Sequence, residues 1–275
     1  MAEEKISGVV ITFFSTASAV GKTLISINMA SELARQGCRV CLVDYDLQFG
    51  DVANYLKLPV EHSVYDALAE MKKNPEADIR QQVEQYRYGT ICFDVLPAPE
   101  FLDQSYNLST EACTELVEKL RLLYDYVIVD TTSMFSKLNL AMLDISTIVT
   151  FLGVVDFIPT IKNMKIGNDT LHNLNYDTHK IRLVLNRSDA KTRIDMSDVE
   201  TLLGDKFFHV LANDFKAASQ SIITGIPLVL SDDDSELVHD IRALVARYTN
   251  RSYEDMSQDD SSRKNSGGWF SKIFS

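Results

Sequence analysis

Short apolar runs rich in β-branched and aromatic residues recur along the chain, and each ends at small or polar residues. Runs of this length and composition predict strands buried inside a parallel sheet. The predicted strands cover residues 8–14, 38–44, 91–96, 126–130, 147–152, 181–185 and 207–211.

Helical spacing of apolar positions appears between several of these runs. Residues 22–36 repeat apolar side chains every three to four positions and are followed by Gly37, which is typical of a helix end. A second such pattern covers residues 115–123. Strands that alternate with helices predict an α/β fold, with a mostly parallel twisted sheet flanked by helices.

The composition changes near residue 249. Residues 1–248 are predicted to form one globular domain, and residues 249–268, rich in Ser, Asp, Asn and Gly, a disordered linker. The last segment, 269–275, is apolar again and amphipathic at helical spacing. Its apolar face could contact an anionic membrane surface or, equally, a protein surface, and it consists of Trp269, Phe270, Ile273 and Phe274.

Charge and cysteine content exclude several classes. The net charge of −12 argues against a broad nucleic-acid surface, because phosphate binding needs clustered Lys and Arg. No run approaches the ~20 apolar residues of a membrane span. Four scattered cysteines do not make a disulfide framework, and a cytoplasmic protein is expected.

The loop after the first predicted strand contains Gly21-Lys22-Thr23. Backbone amides at a helix N-terminus favour phosphate, the lysine would neutralise β/γ-phosphate charge, and the threonine would ligate Mg²⁺. The full pattern G-x-x-x-x-G-K-[ST] has glycine where this chain has Thr16. The position between a strand and a helix favours an ATP phosphate site over an ordinary loop with a chance lysine.

Acidic residues follow two other predicted strands. Asp44 and Asp46 follow the second strand, and Asp130 ends the run Val127–Asp130. Ligands of open α/β sheets bind at the carboxyl ends of strands, so these carboxylates are expected near the phosphate loop and its Mg²⁺.

With these motifs the chain resembles the MinD/ParA family of deviant-Walker ATPases over roughly residues 6–247. The resemblance implies a P-loop fold that binds ATP and Mg²⁺. It places Thr23, Asp46 and Asp130 around the metal, Asp46 also at the attacking water, and Asn186, in Leu185-Asn186-Arg187, at the adenine. The implied nucleotide-binding residues are Ser18, Ala19, Val20, Gly21, Lys22, Thr23, Leu24 and Asn186.

Within that family the chain is similar to the CpaE/TadZ branch of localisation factors for Tad/Flp-type pilus assembly. The similarity lies in residues 46–52, 62–68, 212–214 and 225–228. It implies a positioning or scaffolding protein that forms a homodimer with ATP and contacts pilus or other secretion machinery, from the cytoplasm or the inner membrane surface.

The chain departs from the family pattern at the phosphate loop. The signature lysine, which reaches across the family's dimer, falls on Ala17, and two loop glycines are replaced by Ser18 and Ala19. A side chain with Cβ resists the positive φ that glycine accepts, so the loop could be reshaped. The missing charge implies weak or absent ATPase activity.

Other functions remain open on the sequence alone. A ParA-type partition ATPase, or a flagellar or septum placement ATPase, would use the same fold as an ATP-dependent dimer switch. A bacterial tyrosine kinase would need more C-terminal tyrosines than Tyr248 and Tyr253. An iron–sulfur reductase would need cluster ligands that Cys92 and Cys113 do not match.

Overall fold

The computed structural model describes residues 7–188, 195–232 and 234–250. Within these ranges one eight-stranded sheet has the order β3-β4-β2-β5-β1-β6-β7-β8. All neighbouring pairs are parallel except β3 and β4. The strands are β1 Val9–Phe14, β2 Val40–Asp44, β3 Glu84–Tyr88, β4 Ile91–Leu96, β5 Tyr126–Asp130, β6 Ile148–Gly153, β7 Ile181–Leu185 and β8 His209–Val210.

Helices cover both faces of the sheet, which confirms the predicted fold class. They are α1 Lys22–Arg35, α2 Val52–Leu56, α3 Val64–Lys73, α4 Leu102–Tyr106, α5 Thr110–Leu120, α6 Lys137–Ile145, α7 Ile158–Asn173, α8 Met196–Leu203, α9 Phe215–Thr224 and α10 Glu236–Tyr248. Two short 3₁₀ turns lie at Ile79–Gln82 and Leu228–Leu230.

Apolar clusters lie on both faces of the sheet and bury its central strands. One cluster joins α1 and α10 to one face, and a second joins α3 and α5 to the other. A third packs α7 and α8 near β6 and β7. Because β1, β2 and β5 are buried almost along their whole length, their carboxyl ends are held rigidly where the sequence places its loop and acidic residues.

Element boundaries differ from the sequence prediction where local polar contacts decide them. The helix predicted at 115–123 begins at Thr110, because the Ser109 hydroxyl accepts the Ala112 amide at 3.1 Å and caps it. The run at 207–211 forms only a two-residue strand. The last helix ends at Tyr248, and the next residue, Thr249, is buried with its hydroxyl on the Val245 carbonyl at 3.0 Å.

No helix in the described ranges is both long enough and apolar enough to cross a membrane. The predicted amphipathic segment 269–275, with Trp269, Phe270, Ile273 and Phe274, lies outside the described residues, as does most of the predicted linker.

Candidate nucleotide site

The loop between β1 and α1 presents a helix N-terminus to a cleft at the carboxyl edge of the sheet. Gly21 occupies the N-cap position at φ +97° and has no side chain with which to cap the helix. The first turn contains no acidic residue. The partial positive charge of the helix start is therefore left for a ligand, which suits an anion.

Ala19 shows that the loop keeps a glycine-like conformation without its glycine. Its φ is +58°, in the left-handed region, where an L-residue pays roughly 1–2 kcal/mol. Arg187, itself at φ +56°, donates from Nη2 to the Ala19 carbonyl at 2.9 Å. Alanine at position 19 therefore adopts a left-handed conformation that glycine accepts more readily, and the backbone is strained there.

Lys22 points into a small cage of hydroxyl groups. Its Nζ donates to the Ser133 Oγ at 2.8 Å, and the Ser15 and Ser133 hydroxyls lie 2.9 Å apart. Each serine Oγ also lies 2.8 Å from the Ala17 carbonyl. Burial lowers the pKa of Lys22, while the nearby carboxylates of Asp130 and Asp46 oppose that shift.

Asp130 lies beneath the loop at the end of β5. Its Oδ2 accepts the Thr23 hydroxyl at 2.6 Å, and its buried Oδ1 has no hydrogen-bond partner among the described residues. Burial raises the pKa of Asp130 to about 6, although Thr23 and Lys22 partly counter this. A carboxylate oxygen without a hydrogen-bond partner, next to a threonine hydroxyl, can ligate Mg²⁺ or accept a hydrogen bond from a water molecule bound to it.

Asp44 shapes the turn that carries Asp46 to the cleft. Its two oxygens accept the backbone amides of Asp46 at 3.1 Å and Val52 at 3.2 Å. Gly50 makes room for this, because a Cβ there would lie 2.4 Å from Asp44 Oδ2. Burial, and the nearby Asp130, raise the pKa of Asp44. Asp44 is thus a buried anchor, while Asp46 lines the cleft.

Asn186 binds the phosphate loop in this structure. Its Nδ2 donates to the Val20 carbonyl at 2.8 Å, and its Oδ1 accepts the Arg187 amide at 3.0 Å. A Cβ on Gly21 would lie 2.6 Å from Asn186 Nδ2. The contact therefore requires glycine at position 21, and it ties the end of β7 to the start of α1.

One open cleft of about 850 Å³ brings most of the predicted nucleotide residues together. Those lining it are Ser18, Ala19, Gly21, Lys22, Thr23, Leu24, Asp46 and Asn186. Val20 is not among them, because its side chain is buried in the core, and Asp130 lies buried behind Thr23. Within the described ranges no group of three or more His, Cys, Asp or Glu side chains could hold a metal ion by itself.

Sequence reasoning missed two cations and the far wall of the cleft. Arg187 and Lys57 line it beside Lys22, and the opposite wall comes from the start of α9, including Phe215. Arg187 could have been identified from its place directly after Asn186 at a strand end. Lys57 and Phe215 carry no sequence signal, since only the tertiary fold brings α2 and α9 to the loop.

A family model described as an AAA domain, AAA_31, matches residues 8–171, which contain the phosphate loop and both acidic strand ends. The chain belongs to this family, and its fold is that of the MinD/ParA P-loop ATPases.

Relatives and solved structures agree with this family and fold. An uncharacterised ATP-binding protein of Methanocaldococcus jannaschii is 25% identical over 90% of both chains. A ParA family ATPase from Chlorobium tepidum superposes with a TM-score of 0.79 at 20% identity, over 87% of this chain and 99% of the other. The septum site-determining protein MinD of Pyrococcus horikoshii, solved with Mg-ADP, gives 0.74 at 17% identity, over 88% and 96%.

Proposed function

We propose that this MinD/ParA-type chain is an ATP-dependent positioning or scaffolding protein with weak or absent ATPase activity. One observation carries the proposal. The N-terminus of α1, Lys22, Thr23 and Asp46 meet in a single cleft large enough for a nucleotide, and Asp130 lies buried directly behind Thr23. The ATP-binding relative and the MinD neighbour with Mg-ADP support the same ligand.

The residues present fit Mg²⁺ and a triphosphate. Lys22 would exchange its bond to Ser133 for phosphate oxygens, and the amides of the loop from Ser18 to Thr23 would cradle them. Thr23 and Asp130 would hold Mg²⁺, with Asp46 beside them, and the metal would supply charge neutralisation for the phosphates. Asp46 is the carboxylate at the cleft surface that could orient a water molecule.

Slow turnover is expected because position 17 carries no charge. Ala17 is half-buried against the core, and its carbonyl is fixed by the two serine hydroxyls. A cation that stabilises the phosphoryl-transfer transition state is worth about 10³–10⁵-fold in rate. Without that cation, ATP would be hydrolysed slowly, and the protein would remain in its ATP-bound form for a long time.

The rim of the cleft favours a second copy of the chain as the nucleotide-dependent partner. It carries large, well-exposed apolar side chains: Phe49 at 74%, Met134 at 62%, Phe215 at 77% and Ile222 at 46%. Several large exposed apolar side chains around one cleft are typical of an interaction site. Two copies facing each other would cover both rims and close both nucleotide sites from water.

Light scattering with and without Mg-ATP, combined with phosphate release, tests this function. We expect a shift from monomer to dimer at tens of micromolar protein, and turnover below roughly 1 s⁻¹, the low end of typical enzyme rates. A monomer at saturating ATP would contradict the dimer. Faster turnover by the protein alone would contradict the scaffolding role.

A pilus-assembly role, of the CpaE/TadZ type, is the specific setting we propose. A septum-placement or partition ATPase is the second candidate, supported by the MinD and ParA structural neighbours. The acidic chain favours a protein or membrane partner over DNA, and no nucleic-acid partner is expected. A salt-sensitive DNA mobility shift with ATP would reverse that choice.

The segment 269–275 is proposed to hold the dimer at an anionic membrane, because two weak apolar faces bind with avidity where one does not. We expect ATP to increase co-sedimentation with anionic vesicles, and Phe270→Glu with Ile273→Glu to abolish the increase. Equal co-sedimentation of both proteins would leave the segment as a protein-docking tail.

A further inference from the structure

Helix α7 lies directly against the beginning of the phosphate loop. At Gly167, a Cβ would lie only 2.4 Å from the Thr16 Cγ2 methyl and 3.0 Å from Cζ of Phe151. Carbon atoms in packed proteins do not approach to 2.4 Å, so glycine at 167 is what allows this helix and a threonine at 16 to coexist. Thr16 occupies the place at which the common phosphate-loop pattern has its first glycine.

Of the two neighbours, Thr16 is the one that would have to yield to a larger residue at 167. Phe151 is fully buried, and its ring packs against Phe14 with centroids 5.6 Å apart. Phe14 in turn packs against Phe135 at 4.9 Å. Thr16 is only half-buried and lies in a loop. A larger residue at position 167 would therefore displace the loop and not the core.

A displacement of Thr16 would be passed on to Lys22 through hydrogen bonds. The next residue, Ala17, has its carbonyl 2.8 Å from the Oγ of both Ser15 and Ser133. Ser133 in turn accepts Lys22 Nζ at 2.8 Å. The main-chain position at residues 16–17 and the position of the lysine head are thus joined by two successive hydrogen bonds.

We infer that Gly167 is a positioning residue for the nucleotide site. By accommodating the methyl of Thr16, it allows the phosphate loop and Lys22 to hold the geometry that phosphate binding requires, in a chain that lacks the loop's first glycine. The inference rests on the proposed ATP binding, and it assigns a role at that site to α7, which does not line the cleft.

The test is a double-mutant cycle read by titration calorimetry with Mg-ATP. Gly167→Ala should weaken ATP binding by about ten- to hundredfold, since a displacement of ~1 Å can cost that much. Thr16→Ser removes the crowded methyl and keeps the hydroxyl, and its own affinity is the reference for the double variant. Gly167→Ala combined with Thr16→Ser should bind within about threefold of Thr16→Ser alone. Ile161→Val, another buried α7 change, is the control for lost helix packing.

The outcomes of this cycle support or overturn the role of Gly167 as follows. Unchanged affinity in Gly167→Ala overturns it, as does a loss that Thr16→Ser fails to rescue, or an equal loss in Ile161→Val. If Gly167→Ala does not fold, rescue of folding by Thr16→Ser supports the contact, and failure of the double variant to fold overturns it. Wild-type protein that binds no ATP would instead overturn the proposed function itself.

Discussion

At the scale of single residues, the site is built on buried acids whose charge is costly without a ligand. Asp130 and Asp44 end the adjacent strands β5 and β2 at paired positions, and burial raises the pKa of both. One carboxylate oxygen of Asp130 has no hydrogen-bond partner in the part of the chain that the structure describes. This arrangement lowers the stability of the ligand-free protein and leaves a carboxylate ready for a cation.

The raised pKa of Asp130 predicts opposite effects of pH on stability and on ligand binding. Its folded-state pKa of about 6 lies above the ordinary value of 3.8. The stability contributed by the neutral acid is therefore complete below about pH 4 and lost as the pH rises through 6. Mg-ATP affinity, which uses the carboxylate, should instead fall as the pH drops below 6.

Asp130→Asn, which imitates the neutral acid, checks this. The variant should match the wild type in free energy of unfolding near pH 4 and exceed it by about 1–3 kcal/mol above pH 7. It should also lose the Mg²⁺ dependence of nucleotide binding. Denaturant titrations across this range, with Glu115→Gln as an exposed control, give the difference. A difference that does not vary with pH would show that Asp130 titrates normally.

At the scale of elements, the sequence predicted best where one strong signal decides the outcome. The runs 91–96, 126–130 and 181–185 match β4, β5 and β7, whose apolar residues become fully buried toward the carboxyl end of each strand. The strand β3, Glu84–Tyr88, was not predicted, since as an edge strand it buries only Tyr86 deeply. Its pairing to β4 comes from the hairpin at Gly89, which adopts φ +59°.

The phosphate site was predicted as a set of residues, but its internal bonding was not. The phosphate-loop motif and the strand-end position of Asp130 predicted that Lys22, Thr23 and Asp130 lie near one another, and the structure brings them together. The sequence could not indicate that Ser133 binds Lys22, that Asn186 binds the loop, or that Ala19 adopts a left-handed conformation. The two hydrogen bonds join segments that are far apart in sequence. The conformation of Ala19 depends on whether the surrounding contacts can hold a strained backbone.

At the scale of the whole molecule, the nucleotide cleft is where separate parts of the fold converge. The cleft is lined by the start of α1, the start of α9 and the residues that follow β2 and β7. The end of β5 lies beneath it. The residues that line the cleft come from the N-terminal and the C-terminal parts of the described chain, from Ser18 to Leu237. Lys22 and the exposed apolar side chains line this one cleft, so the nucleotide and the proposed second copy would meet at the same place.

Calorimetric titration of Mg-ATP into the wild type, Lys22→Ala and Lys162→Ala tests the central claim most directly. Lys22 donates its ammonium to Ser133 in the hydroxyl cage near Thr23 and Asp130, whereas Lys162 is exposed on α7. We predict one saturable site per chain in the wild type and in Lys162→Ala, and a loss of at least about a hundredfold in Lys22→Ala, since charge-assisted contacts to phosphate dominate such sites. Unchanged affinity in Lys22→Ala, or no binding by the wild type, would contradict a nucleotide-binding function for this cleft.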